Sequence, residues 1–461
     1  MLGSFPTRPA VCCSTVWTSF IIIFFQFSIR LLVFGTDYTL LVSPCLRSNQ
    51  IISVLWLLES ADPVLLGPYI SSSSPHSALP HYRAASFLVM YSLYGWRVSY
   101  FTGKLACYMR FKNIPFKETI MTGYELMVSS KKWTGASVMP ILKTPEGNYL
   151  QDTWDIIRAL EIKHPQPPLI PLTPRKRFVS LFIEAWADEF WVPFAMHYRW
   201  NYPESVEFFK TEAGDSMFPA IVPRFIKQAV ANNVASTLVS FLPVVGVRPD
   251  QTELIHSWTL DILGKLNDHF AVHQFVLGNL PSTADCALAG PLVAHLGRDP
   301  WPRDNLIPQF PHVQSWIERM KNPDFSGFKN EGADSDDIPD TLRPVLQSAL
   351  QEFVPMLEAT AVPVSAVCNN EKFNSGSKPL PRRLGDITSP LLNMQYKKAA
   401  IPFGIWKAQC VIDDIQSMTP NDYKTVSEYM QSYSGNYFDK LLNLSVPRLE
   451  RVDVRVKYVP P

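Results

Sequence analysis

The 461-residue sequence predicts an α/β domain followed by an all-helical domain. Two observations lead to this fold class. Residues 85–164 alternate short apolar runs with amphipathic segments. In residues 175–325, apolar residues recur only at the spacing of a helix. Between them, residues 164–174 (HPQPPLIPLTP) contain five prolines, which stop a helix and make a stiff connector.

The first domain contains, in order, a strand, a helix, a strand, a hairpin and a helix. Residues 87–94 (FLVMYSLY) form a short apolar run that predicts a buried strand, and residues 101–109 place their apolar side chains on one helical face. Residues 116–120 alternate like a second strand. A PEGN turn within residues 138–150 predicts a hairpin, and residues 154–160 repeat the helical period. This order, in about 80 residues, is that of a thioredoxin-like domain.

The second domain is predicted from helical segments and one capping motif. Residues 178–185, 252–270 and 312–320 are amphipathic with a helical period. Ser282 and Asp285 stand three residues apart before an apolar run, which is the spacing of a capping box. We therefore expect an all-α domain over residues 175–325.

Residues 326–461 are predicted to be a C-terminal extension that is partly helical. Within it, residues 341–356 have the pattern of a helix, and the apolar run at residues 402–412 (PFGIWKAQCVI) is expected to dock on the helical domain. No motif in the extension assigns it a role.

Residues 1–84 differ in composition from the rest and are predicted to be a leader and linker. The first 80 residues hold six of the 83 charged residues, and residues 9–29 hold none, a length that suits a membrane span. A membrane anchor, a signal peptide and an incorrect start site all remain open for this segment. Residues 71–80, with four consecutive serines, read as the linker.

Composition excludes several classes of function. The 42 Lys and Arg balance 41 Asp and Glu, which gives no electrostatic basis for nucleic acid as a partner. The seven cysteines form no C-x-x-C pair and no zinc-type spacing, so we expect reduced thiols, no metal and a cytoplasmic protein. Membrane association is expected only if residues 9–34 act as an anchor.

Several segments, in the right order and at the right separations, resemble glutathione S-transferases. Residues 99–105 (SYFTGKL) stand where glutaredoxins have C-P-Y-C and where the transferases have variants such as S-P-F-S. The other matching segments, with the family phrases they resemble, are residues 113–116 (NIPF, "KGIPFE"), 138–142 (VMPIL, "VPVL"), 150–157 (LQDTWDII, "L-x-E-S-x-A-I") and 275–285 (FVLGNLPSTAD, "FLLGDxPSxADF").

The resemblance implies that glutathione is the co-substrate and that a hydroxyl at a helix N-terminus stabilises its thiolate. Ser99 stands in the position of the catalytic Ser or Cys, and Tyr100 and Thr102 are nearby substitutes. Because residue 99 is not Cys, disulfide exchange of the glutaredoxin type is not expected.

The resemblance also implies the residues that bind glutathione. Met139, which precedes a cis Pro140, would offer its main-chain N–H and C=O to the cysteinyl part. Asp152 and Thr153 would hold the γ-glutamyl amine and carboxylate. The family usually has Glu or Gln followed by Ser at the last two positions, so the reach here is shorter. Residues 186–191 (WADEFW) would lie near the acceptor cleft, with its tryptophans either in the core or in contact with substrate.

The function implied is conjugation of glutathione to a small hydrophobic electrophile, as in detoxification, or a related glutathione-dependent reaction. The alternatives are a non-catalytic binding or scaffold protein with the same fold, and a membrane-tethered adaptor that resembles the metaxins. A homodimer is one assembly that the resemblance allows.

Overall fold

The structure, a computed structural model, describes residues 90–323 and 335–460. These residues belong to one compact unit, Ser86–Pro461. The predicted leader and linker at residues 1–84 lie outside the described residues, as do residues 87–89 of the first predicted strand.

The α/β domain has the predicted order and contains a four-stranded sheet in the order β2-β1-β3-β4. Strand β1 pairs with β2 in parallel and with β3 antiparallel, and β3 and β4 form the hairpin. The elements are β1 Tyr91–Gly95, α1 Tyr100–Phe111, β2 Phe116–Ile120, α2 Ser130–Thr134, β3 Ile141–Lys143, β4 Tyr149–Gln151 and α3 Thr153–Lys163. The thioredoxin-like prediction is confirmed.

The helical domain follows the proline-rich connector and is built around helix α4. The helices are α4 Pro174–Phe190, α5 Val192–Trp200, α6 Pro203–Met217, α7 Arg224–Ser240, α8 Leu242–Val245, α9 Thr252–Phe270, α10 Thr283–Pro291, α11 Pro300–Asn305 and α12 Pro311–Lys321. Helix α10 packs against α4 and against α1, which joins the two domains. The predicted capping box starts α10, and the buried Asp285 accepts the N–H groups of Ser282 and Val276.

The C-terminal extension adds four helices and two small hairpins to the described structure. They are α13 Arg343–Cys368, β5 Asp386–Leu391, β6 Met394–Ala399, α14 Pro402–Gln416, α15 Pro420–Ser434, α16 Tyr437–Leu442, β7 Leu449–Val452 and β8 Arg455–Tyr458. Helix α13 contains Pro355 and Pro363 and continues beyond residue 356, where the sequence predicts its end. It continues because its apolar face stays buried as far as Cys368. Helix α14 packs against α4, where the apolar run was expected to dock.

A buried ionic network ties the three parts together. On α1, the ammonium of Lys104 donates to Glu184 at 2.8 Å and to Asp188 at 2.6 Å, both on α4, and all three side chains are fully buried. Arg158 of α3 adds a bidentate pair with Glu184 at 3.1 and 3.0 Å, and Lys407 of α14 contacts Asp188. Although burial alone would favour its protonated form, Arg158 and Lys104 lower the pKa of Glu184 to about 2.

We predict that Lys104→Met lowers the free energy of unfolding by roughly 3–5 kcal/mol, because it leaves two buried carboxylates short of a partner. Chemical denaturation measures this change. Lys210→Met is the matched control: Lys210 pairs with Glu207 within one helix, where Glu207 is largely exposed, and such pairs contribute about 0.5 kcal/mol or less. Equal effects of the two substitutions would show that the network does not hold the domains together.

Candidate functional site

A cavity of about 320 Å³ lies between the α/β domain, helix α4 and the C-terminal extension. Met139, Pro140, Asp152 and Thr153, the four residues predicted to bind glutathione, all line it. The two pairs of residues flank the β3–β4 hairpin, whose antiparallel strands bring them to one place. The volume lies in the range of small-molecule sites.

Met139 lines the cavity, and its main-chain N–H and C=O are unpaired in the described structure. The Met139–Pro140 peptide bond is cis, as the resemblance implied. Strand β3 starts only at Ile141, and no other described residue hydrogen-bonds to the N–H or C=O of Met139. These groups are therefore available to pair with an extended ligand, as one strand pairs with another.

The start of helix α3 forms the next part of the wall. Asp152 is the N-cap of this helix, and its Oδ1 accepts the N–H of Trp154 at 2.9 Å. Its φ of +74° is uncommon for a residue with a side chain, at a cost of order 1–3 kcal/mol. Thr153 follows it and is buried. The backbone is therefore strained at Asp152, a residue whose carboxylate belongs to the lining of the cavity.

Asp188 of α4 contributes a second carboxylate. Its Oδ2 accepts from Lys104 and Lys407, whereas its Oδ1 is buried and has no hydrogen-bond partner in the described structure. A buried acceptor without a donor is costly, and a ligand donor would satisfy it. Next to it, burial raises the pKa of Glu189, although Lys407 opposes this shift.

Two lysines from the extension line the same cavity and differ in their partners. Burial disfavours the charged form of Lys407, but the carboxylates of Asp188, Asp152 and Glu189 raise its pKa above the ordinary value. Lys398 of β6 is 5% exposed, and its ammonium reaches only the carbonyl oxygen of Glu189 at 3.4 Å and the Sδ of Met356 at 3.5 Å.

Lys398 is therefore a buried cation without a bonded carboxylate. Among the described residues no carboxylate lies within 4 Å of its Nζ, and burial lowers its pKa to about 8, with Glu189 acting in the opposite sense. A buried charge left in this state is costly unless a ligand of opposite charge compensates it. We infer that the cavity is suited to an anionic group.

The three predicted catalytic hydroxyls are not among the residues that line this cavity. Ser99 caps α1 and its Oγ accepts the N–H of Thr102 at 3.4 Å. The hydroxyl of Tyr100 donates to the carbonyl oxygen of Ala187 at 2.8 Å, so it joins α1 to α4. Thr102 lines a different cleft, and its Oγ1 has no partner among the described residues. Their catalytic role stays a prediction.

The tryptophans near the cavity belong to the core. Trp186 and Trp191 are fully buried and pack edge to face against Trp258, with ring centroids 6.4 and 5.1 Å from it. Between them, Asp188 and Glu189 do line the cavity.

Sequence reasoning missed Lys398 and Lys407, because nothing in the extension resembles a known motif. For Lys407 a signal was present, since a single lysine inside the apolar run at residues 402–412 must find a buried partner or a ligand. Lys398 precedes two alanines and carries no comparable signal.

We predict that Lys398→Met raises the free energy of unfolding at pH 7 by about 3 kcal/mol, because it removes a buried charge that the folded state must bear. Below pH 8, Lys398 is charged in both the folded and the unfolded state, so the folded state bears the full free-energy cost of burying that charge. Between pH 8 and its ordinary pKa near 10.5, only the unfolded state keeps the proton, so the wild-type protein gains stability as the pH rises and its difference from the variant shrinks.

Chemical denaturation at pH 7 and pH 9.5 tests this, with the neighbouring and half-exposed Lys397→Met as the control. A variant Lys398→Met that is less stable than wild type at pH 7 would show that Lys398 supports the fold.

Comparison with known proteins supports the resemblance for the first domain. Residues 93–168 match the family model for the glutathione S-transferase N-terminal domain. Among curated proteins, none has significant sequence similarity to the chain.

Solved structures of similar topology include three whose own lengths are covered almost completely. They are a glutathione S-transferase from Methylobacterium radiotolerans in complex with glutathione sulfonate (16% identity, 54% of this chain and 95% of that one, TM-score 0.32), the Tau class transferase from mango, Mangifera indica (15%, 56% and 96%, 0.31), and FzlA from C. crescentus (16%, 54% and 100%, 0.32). Because these TM-scores are low, the solved structures are not used to assign the family. The assignment of the first domain depends on the family model and on the order of its strands and helices. The chain thus contains a glutathione S-transferase N-terminal domain within its thioredoxin-like fold, and a helical region follows it.

Proposed function

We propose that this protein binds glutathione in the cavity between the α/β domain and the extension, and that it promotes conjugation of the glutathione thiol to a small hydrophobic electrophile. The observation that supports this most is the composition of the cavity. It collects the four residues that the family pattern assigns to glutathione, together with polar groups that have no partner within the described structure.

The charges of the cavity fit those of glutathione, which carries one ammonium group and two carboxylates. Asp152 and the free Oδ1 of Asp188 are acceptors for the ammonium group. Thr153 and the N-terminus of α3 would hold one carboxylate, because helix N-terminal N–H groups favour anions. Lys398 would hold the other. The free main-chain groups of Met139 would pair with the cysteinyl residue between them.

Ser99 is the residue we assign to the thiol. A free thiol has a pKa of about 8.5, and each unit of lowering corresponds to about 1.4 kcal/mol in favour of the thiolate. Ser99 stands at the N-terminus of α1, and its hydroxyl donates to no other described residue, so the proton is available for the thiolate. The helix N-terminus adds a partial positive charge at the same point.

An apolar part of the cavity wall would receive the electrophile. Phe101, Val192, Ile401 and Phe403 line it, and the last two come from the extension. Apolar walls with a few polar groups are typical of sites that select hydrophobic ligands.

A glutathione-binding protein without catalysis is the second candidate, because none of Ser99, Tyr100 and Thr102 lines the cavity. The cytoplasm is our proposed location, with a membrane tether through residues 9–34 as the alternative, and a homodimer remains part of the proposal.

We predict that Lys398→Met binds glutathione at least tenfold more weakly than wild type, because a charge-assisted hydrogen bond is worth about 1.5–3 kcal/mol. Calorimetric titration with S-methylglutathione, which has no thiol to titrate, measures the affinity. The wild-type affinity is expected to fall as the pH rises through about 8 more than that of the variant does. Lys397→Met is the control, and equal affinities of the two variants would remove Lys398 from the site.

We predict that Ser99→Ala lowers the rate of conjugation with a generic aryl halide by roughly tenfold to a hundredfold, with a smaller effect on glutathione affinity, because the hydroxyl acts on the thiolate. Thr102→Val is the matched control on the same helix. If the wild-type protein binds glutathione and conjugates nothing, the binding-protein alternative holds. An active enzyme that tolerates substitution of Ser99, Tyr100 and Thr102 alike would refute the catalytic assignment.

A further inference from the structure

Helix α7 presents an apolar surface to solvent. By length and composition alone, the segment Arg224–Val245 is long and apolar enough to cross a membrane, yet only 17% of the residues in its 18-residue apolar stretch are buried. In α7 itself only Ala231 and Ala235 are buried. Large apolar side chains on and beside the helix are exposed, among them Phe225 at 74% and Phe241 at 55%. An exposed apolar surface of this kind marks an interaction site.

A basic groove of about 820 Å³ lies between the α/β domain and the extension. Lys372, Lys378, Arg382 and Arg455 line it and are exposed. No ion pair within 4 Å joins any of the four to a carboxylate in residues 90–323 or 335–460. Asp453 is the only carboxylate among the lining residues. This groove therefore carries cations that the described protein does not neutralise.

The two features adjoin. A second groove of about 460 Å³ is lined by Arg382, Arg383 and Arg455 and also by Phe241 and Val244 at the end of the apolar segment. Arg382 and Arg455 line both grooves, so unpaired cations and exposed apolar side chains form one continuous surface. We call it the apolar–basic face, and it consists of Arg224–Val245 and of five basic residues of the extension, Lys372, Lys378, Arg382, Arg383 and Arg455.

We propose that the apolar–basic face docks on a membrane surface rich in anionic lipid. A helix that lies in the interface buries its apolar side chains among acyl chains, while neighbouring Lys and Arg bind the anionic head groups. A spanning orientation does not fit, because α7 packs against α6, buries Ala231 and Ala235, and exposes Asn232 and Asn233. A second copy of the chain fits poorly, since a two-fold contact of this face would bring cations together with one carboxylate to balance them.

The test is co-flotation of the full chain with vesicles of phosphatidylcholine alone or with 30% phosphatidylserine, a composition chosen as roughly that of an anionic leaflet. Wild type is expected to prefer the anionic vesicles. The triple variant Arg382→Gln, Arg383→Gln, Arg455→Gln should lower the partition coefficient roughly a hundredfold, at about a factor of five per basic residue. The double variant Phe225→Ser, Phe241→Ser should lower it at least tenfold.

Matched controls make the same chemical changes elsewhere. Arg97→Gln, Arg110→Gln, Arg303→Gln neutralises three arginines that line a separate cleft. Ile162→Ser, Leu172→Ser removes two apolar side chains that are 84% and 76% exposed. Both controls should float like wild type.

Three results would overturn the proposal. The first is no preference for anionic vesicles. The second is equal flotation of every variant, which would assign binding to another part of the chain, such as residues 9–34. The third is a wild-type dimer in sedimentation that only the Phe225→Ser, Phe241→Ser variant dissociates, without vesicle binding, which would make the face a contact between two copies.

Discussion

The carboxylate of Asp188, enclosed between the ammonium groups of Lys104 and Lys407, is the interaction on which the rest of the structure depends. Lys104 comes from the α/β domain, Asp188 from the helical domain and Lys407 from the C-terminal extension, and all three side chains are almost completely buried. Removing three charges from water is expensive, and only their close mutual pairing offsets the cost. Since each part of the chain supplies one member, none of the parts can satisfy its own charge alone.

The same carboxylate also connects the fold to the site. Asp188 lines the cavity; one of its oxygens belongs to the ionic network, and the other is buried without a partner in the described structure. Lys407 likewise pairs with Asp188 and lines the cavity wall. The network therefore fixes the position of charged groups at the cavity before any ligand arrives, so little reorganisation is needed on binding. Lys398 differs, because Glu189 compensates its burial only in part and no described carboxylate lies within 4 Å of it, which is the pattern of a residue kept for function at the expense of stability.

How much of this structure can be predicted from the sequence depends on how far apart along the chain the interacting residues lie. The strands and helices of the first domain follow local periodicity, and Ser282 with Asp285 are three residues apart, so these features were readable. The resemblance supplied the cis peptide at Pro140 and the grouping of Met139, Asp152 and Thr153. The pairing of Lys104 with Asp188 and the approach of Lys398 to the cavity span 84 residues or more, and no local pattern encodes them. The length of α13 was also missed, because burial of its apolar face outweighs the local effect of two prolines.

The extension that supplies Lys407 bears on how such a chain can change over evolutionary time. An added segment that merely lies on a surface can be lost again without penalty. Here the segment neutralises a carboxylate in the interior and closes one wall of the cavity. A descendant without this segment would open the cavity to water, and Asp188 would keep only Lys104 as its ionic partner. The extension is therefore part of the cavity itself, and its loss would change the site as well as the surface.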